Sequence, residues 1–182
     1  MAKVFVAGSR NISRLNPEVR AKLDEMMKRR SWFLVGDANG ADKAFQAYFA
    51  KAGYPHVTVY HVGKCRNNLG AWSVKTIASP AADRGFAYYA AKDAAMAQDA
   101  DCGFMLWDER SKGTFNNIEN LMRLGKRTLV YLSTRKDFHR LGTKRDFEDF
   151  LQQCEPGLIA DLQQQIRVKL AGHDQLNLPA AG

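Results

Sequence analysis

Residues 92–118 read KDAAMAQDADCGFMLWDERSKGTFNNI, and the way this stretch divides decides the fold. Its first part closes an Ala-rich helix that begins near Phe86 and stops near Asp99. Cys102–Trp107 (CGFMLW) is a short, almost wholly apolar run of strand length, as expected for a strand buried on both faces. After it come Asp108, Glu109, Arg110, Ser111, Lys112 and Gly113, and a second helix is predicted from Thr114 to about Gly125. A plain strand-to-helix connection needs only a turn residue and a cap. One that carries charge of both signs and then a glycine at a helix start has the composition of a ligand loop.

The same unit repeats on both sides. Lys3–Ala7 (KVFVA) predicts a strand ending at Gly8. Asn16-Pro17 opens a helix, with Val19, Leu23, Met26 and Met27 at helical spacing through about Arg30. Trp32–Val35 is the second strand and ends in Gly36-Asp37. A helix from Gly40 to Ala52 follows, stopped by Gly53-Tyr54-Pro55, and Val57–His61 is the third strand. Residues 62–85 interrupt the rhythm with Gly, Asn and Pro and predict a long loop with one helical turn near Trp72. Arg127–Leu132 is the fifth strand. Two more helices are expected near 144–154 and 157–171, and a frayed tail from 171 onward. Residues 1–134 thus form the core, with 62–85 as an insert, and 135–182 form a helical extension of the same domain.

Alternation of this kind implies an α/β fold, a doubly wound, mostly parallel five-stranded sheet with helices on both faces. Ligands in such sheets bind beyond the carboxyl ends of the strands, where strand order reverses. The segments GSRN after the first strand and WDERSKGT after the fourth are therefore expected to face each other, flanked by GDANGAD after the second. Gly8, Gly40 and Gly113 permit close backbone approach. Ser9, Ser111 and Thr114 offer hydroxyls, and Arg10, Arg110 and Lys112 offer positive charge. The helix start at Thr114 offers free N–H groups to a phosphate. Asp37 and Asp108, at strand ends, are placed to accept from ribose hydroxyls. Ser111 and Thr114 also suit ordinary capping, and Asp42 suits a first-turn acid favoured by the helix dipole.

Composition narrows the classes. The 182 residues suffice for a domain with a substantial core, and 46% hydrophobic with 25% charged residues is ordinary for a globular protein. No apolar run is long enough to span a membrane, and the N-terminus reads as a strand rather than a signal peptide. Three widely spaced cysteines suit a reducing cytoplasm, and no metal site is indicated. A net charge of +8 makes an anionic partner worth considering. Neither GxGxxG nor GxxxxGK[ST] is present, which argues against a dinucleotide dehydrogenase or a standard NTPase.

Taken together, VFVAGSRNI, LVGDANGADKAFQAYF, the 92–118 stretch and GKRTLVYL resemble the SLOG superfamily, and within it the YspA-like branch, over about residues 3–132. The resemblance implies a Rossmann-like fold and a nucleotide or ADP-ribose-like ligand, acted upon or sensed. It relates the chain to Lonely-Guy phosphoribohydrolases, which release a base from a nucleoside monophosphate, and to DNA-processing protein A. The implied ligand-binding residues are Gly8, Ser9, Arg10, Gly36, Asp37, Gly40, Lys92, Ser111, Gly113, Thr114 and Asn117. If the protein is an enzyme, N-glycosidic hydrolysis is the implied reaction, with Asp108, Asp93 and Glu109 as its carboxylates. The chain departs from the phosphoribohydrolase pattern where the catalytic glutamate falls on Asn117, and where Lys92-Asp93 replaces Arg-Asn. No cofactor is implied. The expected partners are a small nucleotide and further copies of the chain in a homo-oligomer, without a membrane. The alternative is a non-catalytic single-stranded nucleic-acid module, with Trp72 available for base stacking.

Overall fold

A computed structural model describes residues 1–79 and 85–174. The strands are β1 (Lys3–Gly8), β2 (Trp32–Gly36), β3 (Val57–Val62), β4 (Ser73–Ile77), β5 (Cys102–Trp107), β6 (Thr128–Leu132) and β7 (Asp137–Leu141). The helices are α1 (Pro17–Lys28), α2 (Ala41–Lys51), α3 (Phe86–Asp99), α4 (Lys112–Arg123), α5 (Lys144–Gln153) and α6 (Pro156–Asp174). The strands form one sheet in the order β4-β3-β2-β1-β5-β6-β7. Every neighbouring pair is parallel except β6 with β7.

The central strands are apolar throughout because both faces are covered. Alternate residues of β1 and β5 enter different cores. Phe5, Ala7, Met105 and Trp107 pack with Met96 of α3 and Phe115, Ile118 and Leu121 of α4. Val4, Val6, Phe104 and Leu106 pack with Val19 and Leu23 of α1 and Phe45 and Phe49 of α2. The period of two along each strand distributes one apolar run between two layers. Local signals set the helix starts. Asn16 caps α1, accepting from the Val19 N–H at 3.1 Å, with Pro17 following. Thr143 and Asp146 form a capping box on α5.

The sheet has seven strands, not five, and both additions are at its edges. β4 lies in the segment expected to be a loop with a helical turn near Trp72. It pairs in parallel with β3, from Thr58 with Ser73 to Val62 with Ile77. Its side chains are largely exposed, so no apolar alternation announced it. β7 opens the extension expected to be helical and pairs antiparallel with β6. The two helices expected after it are present as α5 and α6. The helix expected at Thr114 starts earlier, at Lys112, with Ser111 as its cap. Of the expected frayed tail, residues 171–174 continue α6 and 175–182 lie outside the described residues. Among the described residues no helix is long and apolar enough to cross a membrane.

Candidate functional site

β1 pairs with β2 on one side and β5 on the other, so the strand order reverses between β1 and β5. Beyond their carboxyl ends is a cleft of about 470 Å³, a size that admits a mononucleotide. Gly8, Ser9 and Arg10 line it from the β1 loop, and Arg110, Ser111, Gly113 and Thr114 from the β5 loop. Ala38 and Asp42 line it beside α2, Lys92 and Asp93 from α3, Asn117 from α4, and Lys169 from α6.

Asp108 is what assembles the β1 and β5 loops. Its carboxylate accepts from Ser9 Oγ at 2.7 Å and Asn11 Nδ2 at 3.1 Å, across the switch point. It also accepts from the N–H groups of Arg110 (3.2 Å) and Ser111 (2.8 Å). Burial works to raise its pKa, but the bonds from Ser9, Ser111 and Asn11 outweigh burial and hold it below the ordinary aspartate value. Expected as a ribose acceptor or catalytic group, Asp108 is instead occupied with its own loop. Ser9 is likewise committed. Its hydroxyl goes to Asp108 and its N–H to Leu106 O, so it offers no amide to a ligand.

The geometry of the Asp108 loop leaves α4 open. Ser111 Oγ accepts from the Thr114 N–H (3.3 Å) and the Thr114 hydroxyl (3.0 Å), so both hydroxyls act in capping. Phe115 N–H bonds to Ser111 O. The N–H groups of Lys112 and Gly113 have no partner among the described residues, and they sit at the positive end of a 12-residue helix. Among the described residues, a Cβ at Gly113 would meet nothing within 4 Å. Lys112 Nζ donates to Gln165 Oε1 of α6 at 2.6 Å. Its pKa is lowered, first by desolvation and then by Lys169 beside it. Two adjacent lysines and two amides thus converge on the cleft, which Arg10 also lines from the β1 loop.

The floor has the opposite character. Lys92 is 4% exposed, and its Nζ donates to Asp93 Oδ1 at 2.5 Å. Desolvation works to lower the Lys92 pKa, but Asp93 and Asp42 more than offset it and leave Lys92 above the ordinary lysine value. Asp42 is 5% exposed and accepts from the Ala38 N–H at 3.3 Å. Burial pushes its pKa up to about 6 in spite of Lys92. Asn117 is 3% exposed, and its Oδ1 has no hydrogen-bond partner among the described residues.

Other expected residues serve the scaffold. Asp37 is buried and gripped by Arg66, which donates Nε–H to Oδ2 at 2.9 Å and Nη2–H to Oδ1 at 2.7 Å. Burial opposes ionisation there, but the Arg66 bonds and charge hold Asp37 below its ordinary pKa. It secures the 63–72 loop rather than lining the cleft. Glu109 has a left-handed backbone (φ 56°) that turns its side chain away, to Thr134 and to Arg135 Nη2 at 2.6 Å. Gly8 admits β5, since a Cβ there would lie 2.6 Å from Leu106 O. Gly40 has φ +81° and faces the Arg10 backbone, so it allows two loops to cross. Gly36 makes room for Asp42 and Lys92, a Cβ there lying 2.8 Å from Lys92 Nζ. Trp72 does not reach the cleft. It precedes β4 at the amino edge of the sheet, where its Nε1–H bonds to Tyr54 O at 2.9 Å.

Two residues of the cleft were not among the expected ligand-binding or catalytic residues. Asp42 is the last residue of GDANGAD, where an acid in the first turn of a helix is commonplace. Tyr89 lines the cleft with the Arg66 guanidinium 4.8 Å and the Arg10 guanidinium 5.6 Å from its ring centre. The Tyr88-Tyr89 pair at the start of α3 was the available signal. No group of three or more His, Cys, Asp or Glu side chains suited to a metal occurs among the described residues.

No family model matches the chain. No curated protein matches it either. Among solved structures it is similar to DNA processing protein A from Helicobacter pylori, a structure described for its single-stranded DNA binding mode. The identity is 16%, the TM-score 0.55, and the likeness covers 94% of this chain and 81% of that one. At that identity the likeness is one of fold: an α/β architecture with a mostly parallel sheet and flanking helices.

Proposed function

We propose that the cleft binds the phosphate of a nucleotide, as a member of the SLOG superfamily of the YspA-like kind would. The observation that carries this is the α4 N-terminus, where the Lys112 and Gly113 N–H groups have no partner among the described residues and lie beside Lys112 and Lys169. A phosphate there meets two amides, a helix dipole and two ammonium groups in a cleft of mononucleotide size. Residues 1–134 supply most of this site, and 135–182 add Lys169 from the same domain. The function is binding or sensing of a nucleotide or ADP-ribose-like ligand. N-glycosidic hydrolysis has less support, because Asp108 and Glu109 are engaged elsewhere and Asn117 carries no charge. Asp93 is the one of the three expected carboxylates that lines the cleft.

Binding of a single nucleic-acid strand is the second reading, favoured by the single-stranded DNA binding described for the similar protein. One backbone phosphate would occupy the same α4 terminus. Calorimetric titration with nucleoside monophosphates, ADP-ribose and a single-stranded oligonucleotide separates the two. The mononucleotide reading expects saturable one-to-one binding that Gly113→Val abolishes. Binding of the oligonucleotide alone, falling steeply with salt, supports the strand reading. Binding of none of them refutes both.

A further inference from the structure

A second hollow, of about 750 Å³, adjoins the cleft and takes no part in holding the phosphate. It is a groove between α3, α4 and α6, and Ala90 and Asn116 line both it and the cleft. Its α3 wall is Ala87, Ala90, Ala91 and Ala94, whose methyl groups leave the space beside them open. Asn116 and Asn120 belong to the α4 wall, four residues apart and so on one helix face. Asn116 is 5% exposed, and neither side-chain amide has a hydrogen-bond partner among the described residues. A buried amide with neither its donors nor its acceptor bonded costs free energy, and a ligand that offers both kinds of group removes that cost. Arg123 and Arg167 also line the groove, and both are exposed. Among the described residues the one acid in its lining is Glu119, which accepts from Gln163 Nε2 at 2.9 Å.

We infer that this groove docks an extended, acidic peptide segment of a partner protein. Each side-chain amide can donate one N–H and accept another, which matches the C=O and N–H of a peptide unit. An extended chain presents such a pair on the same edge at every second residue, about 6.6 Å apart. Asn116 and Asn120 stand about 6 Å apart along the α4 axis, close to that repeat. The four alanines run about 10 Å along α3, the length of three extended residues. Alternate side chains of the bound segment point to opposite sides. Those facing the alanines must be small, and those facing outward meet Arg123 and Arg167, where carboxylates are favoured. A nucleic-acid strand is acidic too, but no aromatic side chain lines the groove to stack its bases. A second copy of this chain, with a net charge of +8, would bring like charge to the two arginines.

The experiment follows the side-chain amide resonances of Asn116 and Asn120 by nuclear magnetic resonance in the full, nitrogen-15-labelled chain. The probes are a capped peptide of alternating glutamate and alanine, its lysine–alanine counterpart, an N-methylated form of the first, and an oligothymidylate. The acidic peptide should shift both amides saturably, and the lysine and N-methylated peptides should bind at least tenfold more weakly. Arg123→Glu, an exposed change that leaves the melting temperature in place, should reduce the preference for the acidic peptide to under threefold. Ala91→Leu, which fills the groove from α3, should abolish the shifts. Acidic and basic peptides binding within threefold of each other in the unaltered protein overturn the inference, as does a preference that survives Arg123→Glu. Tighter binding of the oligothymidylate than of the acidic peptide at these two amides assigns the groove to a strand and overturns it. Resonances that move with protein concentration alone, together with a dimer in sedimentation, assign it to a second copy and overturn it. Absence of any shift with all four probes overturns it as well, and none of these outcomes bears on phosphate binding at the α4 terminus.

Discussion

Replacing Asp42 by Asn should stabilise the protein, by an amount that depends on pH. Asp42 is 5% exposed and its carboxyl is raised from the ordinary 3.8 to about 6, chiefly by burial. Between those two values the folded chain holds a proton that the unfolded chain has released. Stability from this group therefore falls as pH rises through the window, and the penalty is complete above the folded value. A shift of about two units corresponds to about 3 kcal/mol at pH 7.5, and about half of that remains at pH 5. Asn keeps an acceptor for the Ala38 N–H and carries no charge to bury. The attraction of Lys92 is already contained in the raised value, and Asp93 still accompanies Lys92 in the variant. Urea unfolding of both proteins at pH 4, 5, 6 and 7.5 measures the difference, and the histidines, common to both chains, cancel. The expected advantage of Asp42→Asn shrinks to below about 1 kcal/mol at pH 4. A difference that is the same at all four values refutes the reasoning, because it would show that Asp42 does not titrate between the two states.

Arg66→Ala leaves the buried Asp37 carboxylate uncompensated and should cost about 2 kcal/mol, the low side for a broken buried pair because Arg66 is 35% exposed. Since Asp37 is held below its ordinary pKa, that contribution is present above pH 3.8 and lost as pH falls through the folded value; chemical unfolding at pH 7 and pH 3 should show the gap between the two chains closing. Trp107→Ala removes a fully buried side chain packed on Phe115 and Phe150, and a loss of about 3–5 kcal/mol is expected in denaturant midpoints. Asp108→Ala frees Ser9, Asn11 and the Ser111 N–H together, and should weaken phosphate binding several-fold by calorimetry while far-ultraviolet circular dichroism is unchanged. Glu109→Gln, whose side chain turns to Arg135, should leave that affinity within twofold.

The order of strands and helices was legible because the central strands are buried on both faces, and an unbroken apolar run of strand length between turn residues fits a sheet interior better than a helix. From that order alone followed the reversal between β1 and β5 and the meeting of GSRN, WDERSKGT and part of GDANGAD at one edge. The edge strands were not legible. SVKTI in β4 leaves nearly every side chain exposed, and DFHRL in β7 buries fully only Leu141. A strand that covers little apolar surface leaves no hydrophobic period, and its existence depends on a neighbour's free backbone groups.

The candidate site divides along the same line. Local chemistry placed the helix start to within two residues, together with Gly113 and the surrounding basic residues, because caps and helix termini act within one turn of chain. What the sequence could not assign was which aspartate does what. Asp37, Asp42, Asp93 and Asp108 carry the same charge, and their roles depend on partners remote in sequence. Arg66 takes Asp37 and Ser9 takes Asp108, whereas Asp42 and Asp93 share one buried lysine from α3. Burial and pairing are properties of the packed chain. The sequence by itself determined the layers and the sheet edge at which the β1 and β5 loops meet. Only the tertiary structure decided which acids are spent on the scaffold and which face the cleft, because desolvation and salt bridges act between side chains that only packing brings together.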